Sequence, residues 1–324
     1  MDMMEHGSNV WLPAGTRTPG GANHPEAVVG MDFPALPSET DVVKVGVIDT
    51  GFVLEDGKPH PGFGDHVSFD PDKDADVLLH GHRDRDQPGR YLADADGHGT
   101  FVTGLILREA PRARVVMCGV LDKGNAQRSH GLEARDDALV ADAVSQLAAD
   151  SAVQVINLSF SGGVFPEEPT SLRDVLDRLD DRIAVVAAAG NDSSDTEAWP
   201  AAFERVIAVG ALNLHELTGA GTPKLASFSN SGRWVNAYAS GVDVVGPFVF
   251  FEESGPDIYG IRAPQHFEGS AKWSGTSFAA ALVSGQIARI AIDRHCTGKE
   301  AAVRVLQGSQ TIFDGDAVWV RGVD

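Results

Sequence analysis

The stretch Val42-Val43-Lys44-Val45-Gly46-Val47-Ile48-Asp49-Thr50-Gly51 is an apolar run that ends directly on a carboxylate and a glycine. A continuous apolar run of this length predicts a strand over residues 42–48 that is buried on both faces. Such strands belong to parallel sheets covered by helices, and sites in these sheets form beyond the carboxyl ends of the strands. Asp49 is therefore the first candidate for chemistry.

The same kind of apolar run recurs along the chain and alternates with helical spacing. Further strands are predicted over residues 115–121, 153–160, 183–189 and 206–212, and helices over residues 100–107, 132–149, 172–179 and 278–292. In the second helix, the spacing places Leu139, Ala143 and Leu147 on one face, with Val140 and Val144 beside them. This alternation predicts an α/β fold with three layers, in which helices cover both faces of a mostly parallel central sheet.

Residues 1–40 are rich in Gly, Pro and polar residues and have no hydrophobic period, which predicts an extended N-terminal arm. The remaining residues, 41–324, contain no linker and are expected to form one domain. The two cysteines, Cys118 and Cys296, are too few for a disulfide framework in a chain of 324 residues, so free thiols are expected.

The formal net charge is −20, which disfavours nucleic acid and anionic lipid as partners. A membrane span needs about 18 apolar residues in a row, and no run approaches that length. The N-terminus also lacks the basic and apolar regions of a secretory signal. These features predict a cytoplasmic protein without a membrane or nucleic-acid partner.

Three short motifs supply an Asp, a His and a Ser in that order. A serine hydroxyl becomes a nucleophile when a base such as His98 takes its proton, and Asp49 can orient the imidazole and offset its charge. Ser277 begins a predicted helix, and Asn191 is suited to donate a hydrogen bond to the oxyanion that forms on attack. The motifs are Val47–Gly51, Asp96–Thr100 and Ser274–Ser277, with Ala189-Gly190-Asn191 between the last two.

Taken together, these motifs resemble those of the subtilisin-like serine peptidases, the subtilases, in which the order Asp, His, Ser is known. The resemblance extends over roughly residues 43–306. Flanking segments agree with it: Glu109–Val115, Val155–Phe160, Trp199-Pro200, whose peptide bond is expected to be cis, and Ala226–Asn230. Residues 41–324 are thus expected to form a subtilisin-like peptidase domain.

The resemblance implies a role for each candidate site residue. Asp49, His98 and Ser277 are the implied catalytic triad, and Asn191, with the Ser277 N–H, is the implied oxyanion donor. Substrate backbone is expected to pair as an added strand with one wall of the cleft. That wall is formed by Ser159, Phe160, Ser161 and Gly162, and the opposite wall by Ala188, Ala189 and Gly190.

The chain also departs from the family pattern. The run Ser277–Leu282 lacks the Pro-His pair that usually follows the serine. The segments between Asp49 and His98 and over residues 246–273 are longer than the family minimum, and both are expected to border the cleft. The segment before Asp49 is too short for a folding prodomain, which favours an intracellular member whose arm is an inhibitory or stabilising extension.

No cofactor is required for this chemistry, and no metal site is assigned. Asp70, Asp72, Asp74 and Asp76 alternate along an acidic stretch and suggest Ca²⁺, but the Gly and the closing Glu of an EF-hand are missing. A solvated acidic loop is the favoured interpretation. A surface loop is likewise favoured over a metal pair for the histidines at positions 80 and 82.

The leading hypothesis is a serine endopeptidase that acts on a polypeptide, either bulk protein or a dedicated precursor peptide, through an acyl-enzyme on Ser277. Transfer of the same acyl group to an amine would make the protein a peptide ligase or macrocyclase. A third hypothesis is a catalytically inactive subtilase fold that binds a partner. The intact candidate residues argue against it, and the reactivity of Ser277 separates it from the first two.

Overall fold

The computed structural model describes residues 11–13, 24–31, 33–38, 41–76, 92, 95–121, 133–162, 168–219, 221–254, 263–312 and 317–322. Its strands are β1 (Trp11–Pro13), β2 (Glu26–Ala27), β3 (Lys44–Asp49), β4 (Phe52–Val53), β5 (Val67–Ser68), β6 (Ala75–Asp76), β7 (Arg114–Gly119), β8 (Val153–Leu158), β9 (Phe160–Gly162), β10 (Ala184–Ala188), β11 (Val206–Leu217), β12 (Pro223–Leu225), β13 (Ala237–Ser240), β14 (Val244–Glu252), β15 (His266–Trp273), β16 (Gln310–Ile312) and β17 (Ala317–Trp319). Its α-helices are α1 (His98–Glu109), α2 (Glu133–Ala148), α3 (Thr170–Leu176), α4 (Thr276–Arg294) and α5 (Gly298–Gly308).

The central element of the described chain is a ten-stranded sheet in the order β16-β17-β13-β11-β10-β8-β3-β7-β5, with β12 paired to β11. The strands from β17 to β5 along this order are parallel to their neighbours, and β12 and β16 are the antiparallel additions. Strand β3 lies between β7 and β8, so the chain segment after Asp49 leaves from the interior of the sheet.

Alternate residues of the strands bury their side chains on opposite faces of this sheet. Val45 and Val47 of β3 join the core that contains α1, α4 and α5, while Ile48 joins the core that contains α2 and α3. Both faces are therefore covered, because the strands are apolar at successive positions. The predicted three-layer α/β fold with a mostly parallel sheet is confirmed.

The buried face of α2 contains four of the five apolar residues that the sequence groups together. Val140, Ala143, Val144 and Leu147 are buried, whereas Leu139 is 43% exposed. Leu139 lies at the exposed margin of the apolar stripe. The apolar stripe of α2 is wide enough to fit two registers, and packing against the sheet selects the one that buries both valines.

The long segment over residues 246–273 contributes to an antiparallel hairpin of β14 and β15. Strand β2 pairs with β15 at the edge of this hairpin. Pro247 of this hairpin lies so close to α1 that a Cβ on Gly104 would be 2.7 Å from the proline Cδ. Sequence patterns did not predict the hairpin, β13 or α5.

Both cysteines are free thiols, as expected. Burial raises the pKa of Cys118 to about 12, so this thiol stays protonated in the core. Among the described residues, no helix is long and apolar enough to cross a bilayer. The cytoplasmic location stays a prediction.

Candidate active site

The aspartate and the histidine of the candidate triad meet at the carboxyl edge of the sheet. Asp49 is the last residue of β3, and His98 is the first residue of α1. His98 Nδ1 lies 2.8 Å from Asp49 Oδ1 and 3.0 Å from Oδ2, and both side chains are buried. A carboxylate only accepts hydrogen bonds, so Nδ1 is the donor and Nε2 of the neutral ring carries the lone pair.

The Nε2 atom of His98 is buried and has no hydrogen-bond partner among the described residues. A buried polar atom without a partner is costly in a native structure, and active sites are one of its recognised locations. The ring itself is held by aromatic neighbours. The Trp273 ring meets it edge-on at 5.6 Å between centroids, and the Phe278 ring lies 5.5 Å away.

The candidate nucleophile lies in the first turn of α4, directly before Phe278. Ser277 Oγ donates a hydrogen bond of 2.9 Å to Ser159 O, and Ser159 Oγ donates one of 2.8 Å to Ser277 O. These reciprocal bonds tie the start of α4 to the segment that joins β8 and β9. Transfer of the Ser277 proton to His98 therefore requires the hydroxyl to turn away from Ser159, a rotation between staggered states of one bond.

The amide of Asn191 has a defined orientation. Its Oδ1 accepts hydrogen bonds from Thr276 N at 3.0 Å and from Thr276 Oγ1 at 2.9 Å. These two bonds identify the oxygen of the amide, so the other terminal atom is the nitrogen, Nδ2. Nδ2 is buried and, within the described chain, has no hydrogen-bond partner. Asn191 thus presents an unused donor next to the candidate nucleophile.

Asn230, to which the sequence assigned no role, bonds to the loop on both sides of this donor. Its Nδ2 donates to Ala189 O at 2.9 Å, and its Oδ1 accepts from Asp192 N at 2.9 Å and from Ser194 N at 3.1 Å. The Asn230 side chain therefore holds the loop on both sides of Asn191. The motif Ala226–Asn230 marked this segment only by resemblance, since contacts across 36 to 41 residues leave no local pattern.

The two predicted walls of the cleft face each other. A Cβ placed on Gly190, whose φ is +102°, would lie 3.3 Å from Ser161 Oγ and 2.5 Å from Asn230 Nδ2. The side chains of Phe160, Ala188 and Ala189 are fully buried in the core.

The edge of β9 already carries an antiparallel strand. Strand β1 of the arm pairs with it in the register Trp11 with Gly162, Leu12 with Ser161 and Pro13 with Phe160. Further along the arm, β2 pairs antiparallel with β15, and Glu26 forms an ion pair of 2.9 Å with Lys272. The described parts of the arm therefore contact β9, next to Ser159, and β15, which leads to Ser277.

Two carboxylates of the acidic stretch accept hydrogen bonds from neighbouring groups. Asp74 accepts hydrogen bonds from Gly119 N and Asp70 N, and Asp76 accepts two from groups beside Asp49 and His98. No group of three or more potential metal ligands occurs within the described ranges. The histidines at positions 80 and 82 lie outside the described residues.

The chain is similar in sequence to known serine proteinases. A sequence model of the subtilase family matches residues 40–305. The thermophilic serine proteinase of Bacillus sp. (strain AK1) is 35% identical over 61% of this chain and 43% of its own length. Subtilisin amylosacchariticus of Bacillus subtilis subsp. amylosacchariticus is 29% identical over 91% of this chain and 68% of its own length.

Two solved structures share the fold at low sequence identity. A cold-adapted subtilisin-like serine proteinase is 20% identical with a TM-score of 0.58, and the alignment covers 98% of this chain and 100% of the other. The patellamide maturation protease PatA is 22% identical with a TM-score of 0.58, over 85% and 89% of the two chains. This chain therefore belongs to the subtilase family of serine endopeptidases.

Proposed function

We propose that the protein cleaves polypeptides through an acyl-enzyme on Ser277, with His98 as the base, Asp49 as its orienting carboxylate and Asn191 as the oxyanion donor. The observation that carries the proposal is a pair of buried atoms, His98 Nε2 and Asn191 Nδ2, that have no hydrogen-bond partner among the described residues. The His98 ring packs against Phe278 and the Asn191 amide is hydrogen-bonded to Thr276, the two residues that flank Ser277 in the sequence. One atom accepts a proton and the other donates a hydrogen bond, which are the two functions that acyl transfer to a serine needs.

The reaction begins when the Ser277 hydroxyl turns from Ser159 O to His98 Nε2. As Oγ attacks the peptide carbonyl carbon, Nε2 takes its proton, and the imidazolium is stabilised by Asp49 through Nδ1. The carbonyl oxygen becomes an oxyanion that accepts a hydrogen bond from Asn191 Nδ2. His98 then gives its proton to the departing amine as the C–N bond breaks. A water molecule, deprotonated by the same Nε2, hydrolyses the ester and restores the serine.

Binding of substrate as an added strand is supported by the pairing of β1 with β9. The backbone of β9 accepts an antiparallel partner from the same chain, and a substrate peptide would make the same backbone hydrogen bonds. The arm and a substrate cannot occupy this edge together. We infer that the arm inhibits the enzyme until it is displaced.

The natural substrate that we propose is a dedicated precursor peptide rather than bulk protein. The arm occupies the edge of β9 next to Ser159, and Trp273 at the end of β15 packs on the His98 ring, which disfavours a broad range of folded substrates. Structural neighbours named as maturation proteases of patellamide and prenylagaramide, at 22–23% identity, show that the shared fold is found in proteins of that description.

Peptide ligation is a second candidate because the catalytic base is shielded. His98 is 1% exposed and is packed against Trp273 and Phe278. A site that limits the access of water gives a bound amine more time to attack the ester. Hydrolysis and ligation then compete for the same acyl-enzyme.

The experiment that tests these proposals incubates the purified chain with a library of unfolded peptides and identifies the products by mass spectrometry. New termini carrying the elements of water indicate hydrolysis, and joined peptides, formed when a peptide amine is added, indicate ligation. Ser277→Ala should abolish both. Equal product formation by the parent and by Ser277→Ala would refute the proposed nucleophile.

A further inference from the structure

Asp76, from the acidic stretch, is buried beside the candidate acid and base rather than solvated. It is 4% exposed, and its Oδ2 accepts two hydrogen bonds. One comes from Thr50 Oγ1 at 2.9 Å and the other from Gly97 N at 3.0 Å. Thr50 is the residue after Asp49, and Gly97 is the residue before His98. One carboxylate oxygen therefore joins the two chain segments that carry the catalytic pair.

Thr50 extends this connection. Its backbone N donates to Asp49 Oδ1 at 2.7 Å, and its Oγ1 accepts a hydrogen bond from Gly99 N at 3.2 Å. The end of β3 and the start of α1 are thus joined on both sides of the bond between Asp49 and His98. Thr50 and Asp76 thus accept hydrogen bonds from the residues on both sides of His98 in the sequence, and both side chains are buried.

The start of α1 lacks a cap of its own, which explains why outside groups are needed. Its N-cap residue is Gly97, in the left-handed region with φ of 76°, and no acidic residue lies in the first turn. The first N–H groups of a helix have no intrahelical acceptor. Asp76 and Thr50 accept from two of them, at Gly97 and Gly99, and a carboxylate at this position also suits the positive end of the helix dipole.

The position of Asp76 is itself fixed by backbone pairing. Strand β6 runs parallel to β4, with Ala75 opposite Phe52 and Asp76 opposite Val53, and Phe52 N donates to Asp74 O at 2.8 Å. A Cβ on Gly51 would collide with Asp74 O, so the loop after Asp49 lies directly against this segment. The acidic stretch therefore places one carboxylate where it cannot move independently of the catalytic pair.

We propose that Asp76 is a positioning residue for the reaction, acting through Thr50 and Gly97 to hold Asp49 and His98 in the geometry that proton transfer requires. This inference rests on the proposed roles of Asp49, His98 and Ser277. A catalytic group that is misplaced by about 1 Å costs about 10²-fold in rate, so a small shift of α1 against β3 is sufficient for a large effect.

The test compares three variants at position 76 with the parent and with Asp72→Asn. Both hydrogen bonds end on one oxygen of Asp76, so Asp76→Asn can keep them, whereas Asp76→Ala and Asp76→Leu cannot. Asp72 lies in the same stretch but is exposed, and Asp72→Asn controls for the loss of a charge. We expect Asp76→Ala and Asp76→Leu to lower kcat about 10- to 100-fold with KM within about twofold, as found for residues that orient catalytic groups.

We expect Asp76→Asn to stay within about threefold of the parent and Asp72→Asn to match it, because loss of the acceptor is the cause and loss of charge is not. The rate at which a fluorophosphonate labels Ser277 should fall in parallel with kcat, since that reaction needs the base without needing peptide binding. If the folded Asp76→Ala variant keeps the kcat of the parent, or if only KM changes, the inference is wrong.

If the variants at position 76 do not fold, two variants at position 50 are compared instead. Thr50→Val removes the hydroxyl and keeps the shape, and Thr50→Ser restores the hydroxyl. Loss of kcat in the first with recovery in the second supports the network, and equal kcat in both overturns it. Ser277→Ala distinguishes failure of the proposed function from failure of this inference. If Ser277→Ala stays active, the proposed function fails. If Ser277→Ala is inactive while the variants at positions 76 and 50 match the parent, only this inference fails.

Discussion

Replacement of Asn191 should lower the rate of the chemical step and leave substrate affinity nearly unchanged. Its Nδ2 has no partner in the described protein, so the hydrogen bond that it donates forms only when the oxyanion develops. Loss of one such donor in a subtilisin, a member of the same family, costs about 2.7–4 kcal/mol, or about 10²–10³ in kcat. We expect a loss of that size for Asn191→Ala, and a loss at least as large for Asn191→Asp, which keeps the acceptor for Thr276 but places a carboxylate beside the oxyanion.

The assay is steady-state hydrolysis of a peptide that carries a cleavage site found with the library described above. Asp192→Asn is the matched control, because Asp192 is the next residue and its side chain is exposed. It should behave as the parent. If Asn191→Asp raises KM tenfold and keeps kcat, then Asn191 binds the substrate in its ground state, and its role as an oxyanion donor is refuted.

Removal of residues 1–23 should raise the initial rate of peptide hydrolysis, because it frees the edge of β9 while keeping the pairing of β2 with β15. Removal of residues 1–40 should in addition lower the melting temperature, and an unchanged rate in both truncations would show that the arm is only structural. Asn230→Ala should lower kcat by a smaller factor than Asn191→Asp, since it loosens the loop rather than removing the donor, and Asn230→Asp, which keeps the acceptor for Asp192 N and Ser194 N, should recover part of the loss. A kcat for Asn230→Ala equal to that of the parent would contradict this positioning role.

The parts of the fold that sequence predicts are those with strong local patterns. The run before Asp49 has to be a buried strand because it is apolar at nearly every position, and β3 spans Lys44–Asp49. The same holds for the apolar runs that became β7, β8, β10 and β11. The candidate site residues at strand ends and helix starts follow from these elements, since parallel strands bring their carboxyl ends to one edge.

The parts that sequence did not predict depend on contacts between distant segments. Asp76 and its neighbours alternate in a way that suggests a solvated loop or a Ca²⁺ site, and only the pairing of β6 with β4 turns Asp76 towards Gly97. Asn230 similarly gains its role by contact with residues about 40 positions earlier. In α2, the apolar stripe is wide enough for two registers, and packing leaves Leu139 exposed. In each case the decisive interaction is tertiary, and the local pattern fits more than one outcome.

The proposed mechanism depends on Ser277 being a nucleophile that is activated when His98 accepts its proton. The most direct measurement is the intact mass of the folded protein after reaction with a fluorophosphonate, for the parent, for the variant without residues 1–23, and for Ser277→Ala. We expect a single adduct in the first two proteins, formed faster when the arm is absent, and none in Ser277→Ala. An adduct that persists in Ser277→Ala, or its absence from the folded protein without residues 1–23, would contradict the claim.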